Sequence, residues 1–544
     1  MGVYNQLILT NFTLGMYDVD QLSRTQYPSG ACVDCDNVIF TPAGALTKRP
    51  GYEQLSSTRV NSAAITKIFQ WTDVDNGQHS FAFTCASATT APTSAVSAAV
   101  YLVDTTGTEA AYIKLTLPAN GVNWKPTLLD GISCASWEGS AIFTHSGNSK
   151  YMMAYNTGTS AVAVSGGTGT PSGAKVVCAW GNFLFAGNVL VDGVRNGSRL
   201  MWTYPGDVDN WPAAYYIDLD PDDGDEIRSI VNFKNNIYVF KRYKMWAIHW
   251  VGGVSLFQEE RIAQDVGMVG PNAWITDGNI MYFIGDYTAY KFTGTEYPTS
   301  ISDNIQSSWD LMNLSMAKWT SPLVSHGWEF EVESDPSNWQ IWFHVPHLTS
   351  DYKNRIYVYD TRFNSWSKFS ITASCLGAIV YGKSSTYGDL GDTYSSYYQQ
   401  IQYFMAEGSS IMCIGDYTGM LHQYGSSNND NGIAIDAYWV SPWLDMGIAD
   451  FNKRFYRATA LLERYGNYDL NVYFYRNWNE VTPSYTKTIS LSGSADDVMV
   501  ERRLDFTTQF RSLQLKFGTD DLASPFILHK FIINYLPKGQ TLVT

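Results

Sequence analysis

The sequence predicts an all-β protein, in which a β-propeller of about six to eight blades precedes a C-terminal β-sandwich or barrel-like domain. The composition is one reason, because aromatic residues make up 15% of the 544 residues and 44 are glycines, as suits pleated sheets joined by tight turns. A recurring strand pattern is the second reason, since its spacing of roughly 40 to 60 residues is the period of radially stacked four-stranded sheets. The third is an internal repeat, Ile-Gly-Asp-Tyr-Thr, which begins at Ile284 and again at Ile414.

The recurring pattern is an apolar strand, a turn rich in Asn, Asp or Gly, and a second strand that alternates aromatic with polar residues. Such alternation on both sides of a turn like Lys234-Asn235-Asn236 predicts a β-hairpin. An isolated four-stranded blade exposes two apolar faces, and closing a ring of blades covers both of them. The stretches with this pattern begin at Ile65, Ile132, Ala174, Ile227, Ala273, Gly327, Asn354 and Ser409.

The repeated pentapeptide indicates equivalent hairpins in two blades that lie about three blades apart. We expect Gly285 and Gly415 to permit a tight backbone turn directly after a strand. We expect Asp286 and Asp416 to accept hydrogen bonds from the backbone amides of that same turn.

The patterns divide the chain into three regions. Residues 1–60 are irregular and full of turn residues, which predicts an N-terminal arm that is part of a platform and lies over another domain or subunit. Residues 61–435 predict the propeller. Residues 436–544 alternate more cleanly and predict the C-terminal β-sandwich of the platform, with antiparallel strands that have one solvated face.

Three stretches of the propeller region predict loops. Residues 86–99 and 158–173 consist mostly of small residues, as in flexible connections. Residues 382–400 are rich in Tyr and Ser, and they predict either a contact surface or a solvated insertion.

The net charge of −15 at pH 7 argues against a clamp that grips nucleic acid, because phosphate binding is built from an excess of Lys and Arg. A surface past which DNA slides without sticking is compatible with this charge.

The seven cysteines are odd in number and widely spaced, which predicts no disulfide framework. The beginning of the sequence lacks the pattern of a secretory signal, and no window approaches about 18 consecutive apolar residues. The sequence therefore predicts a soluble protein made in a reducing cytosol, with no membrane insertion of its own.

Two groups of residues are candidate metal ligands. Cys32 and Cys35 have C-x-x-C spacing, but no second Cys or His pair follows at zinc-site distance, so reduced thiols are predicted. A run of acidic residues near the middle of the chain offers weak candidates for a cation site: Asp218, Asp220, Asp222, Asp223 and Asp225.

The acidic run does not follow the calcium-loop pattern. Counting from Asp218, the glycine is seventh rather than sixth, and the twelfth residue is Ser229 rather than Glu. The acidic run is therefore either an irregular cation site or a solvated acidic turn. The sequence predicts no cofactor.

Motifs of catalysis are missing from the sequence. It has no G-x-S-x-G nucleophile elbow, no H-E-x-x-H motif and no phosphate-binding glycine loop. The sialidase-type box is absent, and His249 and His422 fall inside strand patterns. Propellers that cleave sugars place carboxylates around a central mouth, which no sequence pattern reveals. We therefore expect no enzymatic activity.

Several segments in order carry a family resemblance. They are DNVIFTPAGALTKRPGYE from Asp36, SRLMWTYPGDVDNWP from Ser198, FIGDYTAYKFTG from Phe283 and the sandwich opening SPWLDMGIADFNKRFYRATALLERYGNYDLNVYFYRN from Ser441. Together they resemble the tail proteins of short-tailed bacteriophages (podoviruses). The nearest kinds are the nozzle, or tail tubular protein B, and the packaged-DNA stabilisation (tail hub) protein.

The resemblance implies a structural virion protein, assembled in the host bacterial cytoplasm. Such proteins form a homo-hexameric ring below the portal and the tail adaptor protein, extend the DNA channel and close it until DNA ejection. Tail fibre or needle proteins attach to the ring, and the passing genomic DNA is not bound sequence-specifically. The resemblance assigns an assembly interface to Lys48, Arg49, Pro50 and Gly51, although Arg49 is equally explained as a structural turn residue. The charge of −15 then suggests an acidic channel lining.

Two other functions stay open at this point. One is a glycan-binding or receptor-binding propeller of a phage, which requires pockets of Trp and acidic residues. The other is a polysaccharide-degrading propeller enzyme, which requires two carboxylates roughly 5 to 10 Å apart.

Overall fold

The structure is a computed structural model. It describes residues 5–18, 27–28, 30–75, 77–85, 98–105, 109–117, 126–127, 130–147, 152–156, 158–164, 171–253, 255–310, 330–347, 350, 352–381, 409–448, 451–463, 468–491, 499–522 and 525–538. Within these ranges the single α-helix, α1 (Gln306–Asp310), follows a 3-10 turn at Asp303–Ile305. No helix in this part of the chain has the length and apolar character needed to cross a membrane.

Five short strands come first in the chain. The first four join the sheets of the C-terminal domain, and the fifth joins the propeller. They are β1 (Asn5–Leu9), β2 (Asp34–Asp36), β3 (Val38–Phe40), β4 (Leu46–Lys48) and β5 (Gly51–Gln54).

The described residues then form seven four-stranded antiparallel sheets, each of which is one blade of a propeller. Blades 1 and 2 contain β6 (Ile65–Thr72), β7 (Gln78–Thr84), β8 (Ala99–Asp104), β9 (Ala111–Lys114), then β10 (Ile132–Trp137), β11 (Ser140–His145), β12 (Met153–Tyr155), β13 (Val162–Ala163). Blades 3 and 4 contain β14 (Pro171–Trp180), β15 (Phe183–Val191), β16 (Val194–Trp202), β17 (Tyr216–Asp218), then β18 (Ser229–Phe233), β19 (Asn236–Phe240), β20 (Met245–Gly252), β21 (Leu256–Ala263). Blades 5 and 6 contain β22 (Trp274–Asp277), β23 (Ile280–Ile284), β24 (Ala289–Phe292), β25 (Thr299–Ser300), then β26 (Glu331–Asp335), β27 (Gln340–Pro346), β28 (Lys353–Asp360), β29 (Ser365–Phe369). Blade 7 contains β30 (Cys375–Tyr381), β31 (Ser409–Gly415), β32 (Leu421–Ser427) and β5.

The predicted all-β propeller with a C-terminal sandwich is confirmed. Eight sequence stretches give seven blades because those at Gly327 and Asn354 supply the two hairpins of one blade, blade 6. The turn chemistry is also as expected: Lys234 and Asn235 both have positive φ, 50° and 62°, in the two-residue turn between β18 and β19.

The ring is closed by strands from distant parts of the chain. In blade 7, β5 pairs with β32 as the outer strand, with Tyr52 opposite Tyr424 and Gln54 opposite His422. β5 therefore completes the last blade of the ring. The facing edges of β5 and β32, which would otherwise be open, are covered by pairing with each other. The sequence assigned residues 1–60 to the arm, and β5 lies inside that range but belongs to the propeller.

The C-terminal domain is a sandwich of two sheets. One sheet has the order β3-β4-β39-β34-β37 with β1 also paired to β39, and the other has the order β2-β33-β38-β35-β36. Large apolar side chains such as Trp439, Phe455 and Phe517 are fully buried between the sheets. The C-terminal strands are β33 (Ala437–Val440), β34 (Asn452–Glu463), β35 (Asp469–Arg476), β36 (Tyr485–Ser490), β37 (Met499–Phe510), β38 (Leu513–Thr519) and β39 (Ile527–Lys538).

The sandwich lies against the outer strand of blade 6. The amide of Met16 donates to the carbonyl of Trp366 at 2.8 Å, and the amide of Asn37 donates to the carbonyl of Lys368 at 2.8 Å. These bonds satisfy backbone groups along the edge strand β29, which would otherwise be open. The N-terminal segment is thus a connector within the chain as well as a part of the sandwich.

The KRPG segment is the joint between the two domains. Arg49 is 1% exposed, and its guanidinium binds both carboxylate oxygens of Asp430, at 2.6 and 2.9 Å, and the side-chain oxygen of Asn37 at 2.8 Å. The ammonium of Lys48, which is 2% exposed, donates to the carbonyl of Asp521 at 2.8 Å. Both side chains are thus buried and bind residues of their own chain, and the assembly interface at Lys48, Arg49, Pro50 and Gly51 stays a prediction.

The other two residues of the segment are also part of this joint. Pro50 accepts a hydrogen bond from Arg49 at its carbonyl, at 2.9 Å. A Cβ atom at Gly51 would lie 2.0 Å from the carbonyl oxygen of Asn429, so only glycine allows the two segments to approach this closely.

The repeated pentapeptide occupies equivalent positions, after the second strand of blade 5 and of blade 7, which are two blades apart rather than three. Gly285 and Gly415 have no positive φ, and what they provide is close packing. A Cβ atom would lie 2.5 Å from the Tyr290 ring at Gly285 and 2.6 Å from the sulfur of Cys375 at Gly415. The expected tight-turn role of these glycines is therefore wrong.

The two aspartates of the repeat differ in their contacts. Asp416 accepts from the amides of Thr418 at 2.8 Å and Met420 at 2.7 Å, as expected for a residue that stabilises its own turn. Asp286 instead accepts from the guanidinium of Arg242, at 2.9 Å, and so links blade 5 to blade 4. One sequence motif thus serves two different purposes.

Two of the predicted loops, 86–99 and 382–400, lie mostly or wholly outside the described residues. The loop predicted at 158–173 is described apart from 165–170, and it contains β13 and the first three residues of β14, so the prediction is wrong at those positions. The choice between a contact surface and a solvated insertion at 382–400 stays a prediction.

The joint at Arg49 generates a stability prediction. Arg49→Ala leaves Asp430 and Asn37 without their buried partner, so we expect the free energy of unfolding to fall by about 3–5 kcal/mol. Arg503→Ala is the matched control, because it breaks an ion pair with Asp505 in which both side chains are more than half exposed (52% and 56%). The control should cost less than about 1 kcal/mol in a denaturant titration. Equal losses in the two variants would contradict a structural role for Arg49.

Candidate binding site on the sandwich

The acidic run predicted as a weak cation site forms the connection between blades 3 and 4. Asp220 binds the ammonium of Lys244 at 2.8 Å and the guanidinium of Arg261 at 2.6 Å. Asp223 binds Lys241 at 2.8 Å and Lys244 at 2.7 Å. The hydrogen bond from Lys244 lowers the pKa of Asp220. Burial raises the pKa of Asp223, but the hydrogen bonds from Lys241 and Lys244 outweigh it and the net direction is down.

The other acidic residues of the run either bind groups of the protein itself or are exposed to solvent. Asp218 forms a two-bond pair with Arg199, 2.7 Å for each bond. Asp225 accepts from the backbone amide of Arg242 at 2.8 Å, and Asp222 is exposed. Across the described ranges no cluster of three or more His, Cys, Asp or Glu side chains is placed to hold a metal ion. The carboxylates of the run are thus arranged around basic side chains of the protein itself.

Cys32 and Cys35 are both buried free thiols. Burial raises the pKa of Cys32, and the adjacent Cys35 raises it further. A raised pKa favours the protonated thiol over the thiolate that binds metals.

Glu331, on β26 of blade 6, is the centre of a buried ion cluster near the middle of the ring. Its side chain is 2% exposed and lies 3.4 Å from the ammonium of Lys67 in blade 1 and 3.1 Å from that of Lys353 in blade 6. The amide of Leu376 in blade 7 donates to it at 2.9 Å. The cluster therefore connects the two blades on either side of the closing blade to that blade.

The same cluster separates the pKa values of two neighbouring carboxyls. Burial raises the pKa of Glu331, but Lys353 and Lys67 outweigh it and hold that pKa well below its usual range. Burial raises the pKa of Glu333. Divergent pairs of this kind occur at acid–base sites. Here the contacts of Glu331 occupy both of its oxygens, so its evident role is to hold the ring together.

A polar cavity lies on the sandwich, on the outer face of the sheet that contains β2, β33, β38 and β35. Its volume is about 430 Å³. We call it the sandwich cleft. It is lined by Tyr27, Val33, Asp34, Tyr438, Val440, Trp443, Tyr475, Glu480, Gln514 and Lys516.

Strand register explains why these residues meet. Val440 on β33 lies opposite Asp34 on one side and opposite Lys516 on the other, and Tyr475 lies opposite Gln514. Because side chains alternate between the faces of a sheet, their neighbours in sequence point into the core. One N-terminal strand and three C-terminal strands thus supply one surface.

Charges in the cleft are partly compensated. One oxygen of Asp34 lies 2.5 Å from the ammonium of Lys368, and the other accepts from the Tyr438 hydroxyl at 3.0 Å. Burial, assisted by the nearby Asp34 carboxylate, raises the pKa of Tyr438, so this hydroxyl remains a hydrogen-bond donor. The ammonium of Lys516 lies 4.0 Å from the centre of the Tyr438 ring, in a cation–π contact.

Two tryptophans pack against each other beside the cleft: Trp443, which lines it and is 3% exposed, and Trp478, which is not one of its lining residues. The Trp443 and Trp478 rings are 5.0 Å apart, and the indole N–H of Trp443 donates to Glu480 at 3.0 Å. Trp478 is 45% exposed and lies in a two-residue turn in which it and Asn477 have φ values of 68° and 53°. Glycine is the usual residue at this second position, and a bulky side chain there is a backbone outlier that costs on the order of 1–3 kcal/mol. We call these two tryptophans the aromatic rim.

A second, mostly apolar pocket of about 270 Å³ continues from the cleft and shares Tyr27 and Trp443 with it. Its walls include Leu9, Pro442 and Met446. The two pockets together therefore offer aromatic, polar and aliphatic surfaces side by side.

Sequence reasoning identified the sandwich strands but none of the cleft residues. A signal was present, since the solvated positions of β33 and β35 carry Tyr438, Tyr473 and Tyr475 rather than charged residues. Alternation alone does not show which strands become neighbours, so the convergence of these side chains with Lys516 was not predictable.

Comparisons with known proteins describe the fold class. No protein-family model matches the sequence, and no curated protein matches it. An exo-β-1,3-galactanase from Phanerochaete chrysosporium aligns with 90% of this chain and 100% of its own, at 8% identity and a TM-score of 0.27. The WD40 domain of Pan2 from Neurospora crassa aligns with 72% of this chain and 98% of its own, at 6% identity and a TM-score of 0.35.

The extracellular domain of a one-component system from B. thetaiotaomicron aligns with 55% of this chain at 11% identity and a TM-score of 0.30. The match covers 39% of that domain, so this chain spans well under two thirds of its length. A related hybrid two-component system is covered over 54% of its chain.

The expectation of no enzymatic activity is corrected by the same comparisons. They include the galactanase and a family 43 glycoside hydrolase, an arabinoxylan arabinofuranohydrolase from Bacillus subtilis, at 9% identity and a TM-score of 0.24. Enzymes therefore occur among the matches of this fold class, and missing sequence motifs do not exclude catalysis. Carboxylates that act as a pair are brought together only by folding, which is why the sequence argument failed.

The buried cluster around Glu331 generates a pH prediction. His344 lies 3.7 Å from Glu331, and burial lowers its pKa from 6.5 to about 4. Between these values the unfolded chain binds a proton that the folded chain does not, so stability is full above pH 6.5 and falls as the pH decreases toward 4. His344→Gln should remove up to about 3 kcal/mol of this pH dependence.

The measurement is a denaturant titration of each variant at a series of pH values from 7 to 4. His249→Gln is the control, because that imidazole is 41% exposed. A His344→Gln curve with the same slope as the wild type would show that His344 does not titrate as described.

Proposed function

We propose that this chain is a carbohydrate-binding protein and that the sandwich cleft is its binding site. The observation that carries the proposal is the aromatic rim, where the exposed Trp478 is held in an unfavourable backbone conformation against Trp443, a lining residue of a polar cavity. Strain of this kind persists where the surrounding structure requires it, and it concentrates at ligand sites.

The size and chemistry of the cleft support the proposal. A volume of about 430 Å³ lies within the range of roughly 300–1,000 Å³ typical of small-ligand pockets. Aromatic rings offer apolar faces to the C–H side of a sugar ring. The amide of Gln514 and the carboxylate of Glu480 are planar polar groups suited to neighbouring sugar hydroxyls.

Titration calorimetry of the full chain against a panel of oligosaccharides tests this function. We expect Trp443→Ala to weaken binding at least tenfold, since a buried aromatic contact contributes roughly 1–3 kcal/mol. We expect a similar loss for Trp478→Gly, in which the positive φ is accommodated, so that loss of the ring is separated from misfolding.

Trp250→Ala is the matched control, because this tryptophan is 48% exposed but lies on blade 4 of the propeller. Binding that is unchanged in both rim variants would overturn the assignment of the cleft. Release of reducing sugar, measured in the same samples, distinguishes binding from hydrolysis.

A second candidate function is a structural component of a short phage tail. The specific observation that favours it is that β1–β4 and β33–β39 share the same two sheets, which matches the platform of N-terminal arm and C-terminal domain implied by the family resemblance. Under this proposal the partners are five further copies of the chain, the tail adaptor protein, tail fibre or needle proteins and passing genomic DNA. The location is the virion, and glycan binding would be an additional property of the ring.

Native mass and negative-stain images of the purified full chain test this second function. A six-fold ring with a central hole is the expected result, either alone or after addition of adaptor–portal complexes. A chain that remains monomeric under both conditions would contradict it.

A further inference from the structure

Among the described residues that line the sandwich cleft, Lys516 alone carries a positive charge. It lies on β38, which has β33 on one side and β35 on the other, so it is in the middle of the sheet rather than at an edge. Its ammonium lies 4.0 Å from the ring centre of Tyr438 and 5.9 Å from that of Tyr473. Two aromatic rings therefore flank the charge and exclude part of the surrounding water.

Within the described part of the chain, Lys516 forms no ion pair, although the protein as a whole carries a net charge of −15. The nearest carboxylate by strand register, Asp34, is already engaged by Lys368 and Tyr438. Glu480, the other carboxylate of the lining, is on the exposed rim, where it accepts from Trp443. The floor of the cleft thus presents an ammonium whose charge is balanced only by aromatic faces.

We propose that the sandwich cleft binds an acidic saccharide and that Lys516 binds its anionic substituent. This inference rests on the proposed carbohydrate-binding function and specifies the ligand class. A carboxylate or phosphate on the sugar supplies the missing counter-charge, and a hydrogen bond between two charged groups is stronger than one between neutral groups. The sugar ring then lies within reach of the aromatic rim, and the adjoining apolar pocket accepts an aliphatic substituent of the same ligand.

The experiment uses the full chain in titration calorimetry with matched pairs of monosaccharides and of the oligosaccharides built from them. Each pair has the same sugar with and without the acid: galacturonate and galactose, glucuronate and glucose, mannuronate and mannose. Glucose 6-phosphate with glucose is added to distinguish phosphate from carboxylate. The variants are Lys516→Gln, Lys516→Arg and the control Lys487→Gln, which removes another sandwich ammonium that lies 5.6 Å from an aromatic ring, that of Phe506.

We expect at least one acidic ligand to bind the wild type about tenfold more tightly than its neutral partner. Lys516→Gln should remove that preference, so that the acidic and the neutral member of a pair bind within about twofold of each other, while Lys516→Arg retains it and Lys487→Gln has no effect. The preference should also decrease as salt is raised, because the cleft is open to solvent.

The alternative outcomes separate the two proposals. If neutral and acidic sugars bind equally and the rim variants still abolish binding, the acidic ligand is wrong and the carbohydrate site stands. If a preference for acid persists in Lys516→Gln, another residue holds the anion and the inference about Lys516 is wrong. If no member of the panel binds, both the ligand class and the proposed function fail.

Discussion

The two-bond ion pair between Arg49 and Asp430 is the contact on which the arrangement of the two domains depends. Arg49 lies between β4, the last N-terminal strand of the sandwich, and β5, the outer strand of blade 7. Its guanidinium also binds Asn37, whose backbone amide is bonded to blade 6. The position of the Arg49 side chain therefore determines where β4 of the sandwich ends, where β5 of blade 7 begins and where β2 lies. Since β2 supplies Asp34, the geometry of the sandwich cleft follows from the same joint.

Much of the fold could be predicted because its signals are local. Hairpin turns such as Lys234-Asn235 and the alternation of buried and solvated residues in β34 and β37 are visible in the sequence and are present in the structure. The three-residue strands β2, β3 and β4 are too short to show any periodicity, so the arm looked irregular. The identical pentapeptides looked equivalent, yet Asp286 and Asp416 have different partners, because a neighbouring blade supplies Arg242 to only one of them. The cleft requires four strands to become neighbours, which is a property of topology and not of any sequence window.

The charged residues show a second general feature, which is local compensation. The acidic run around Asp220 is bound by Lys244 and Arg261, and the buried Glu331 is bound by two lysines from different blades. Charges removed from water are expensive unless they are paired, so these contacts are required by burial. Lys516 departs from this arrangement, and that difference is what makes it informative about a ligand.

Closure of blade 7 by β5 has a consequence for synthesis on the ribosome. β5 ends at Gln54 and its partner β32 begins at Leu421, so the first strand of the propeller is made long before the strand that it pairs with. At usual bacterial elongation rates this interval is on the order of tens of seconds. During that time β5 has no partner and the ring of blades is not closed. Strands β1–β4 stay unpaired for longer, because their partners lie in the region of β33–β39. The propeller can therefore close only once β32 has been made, and the two sheets of the sandwich form later still, when β33–β39 have followed.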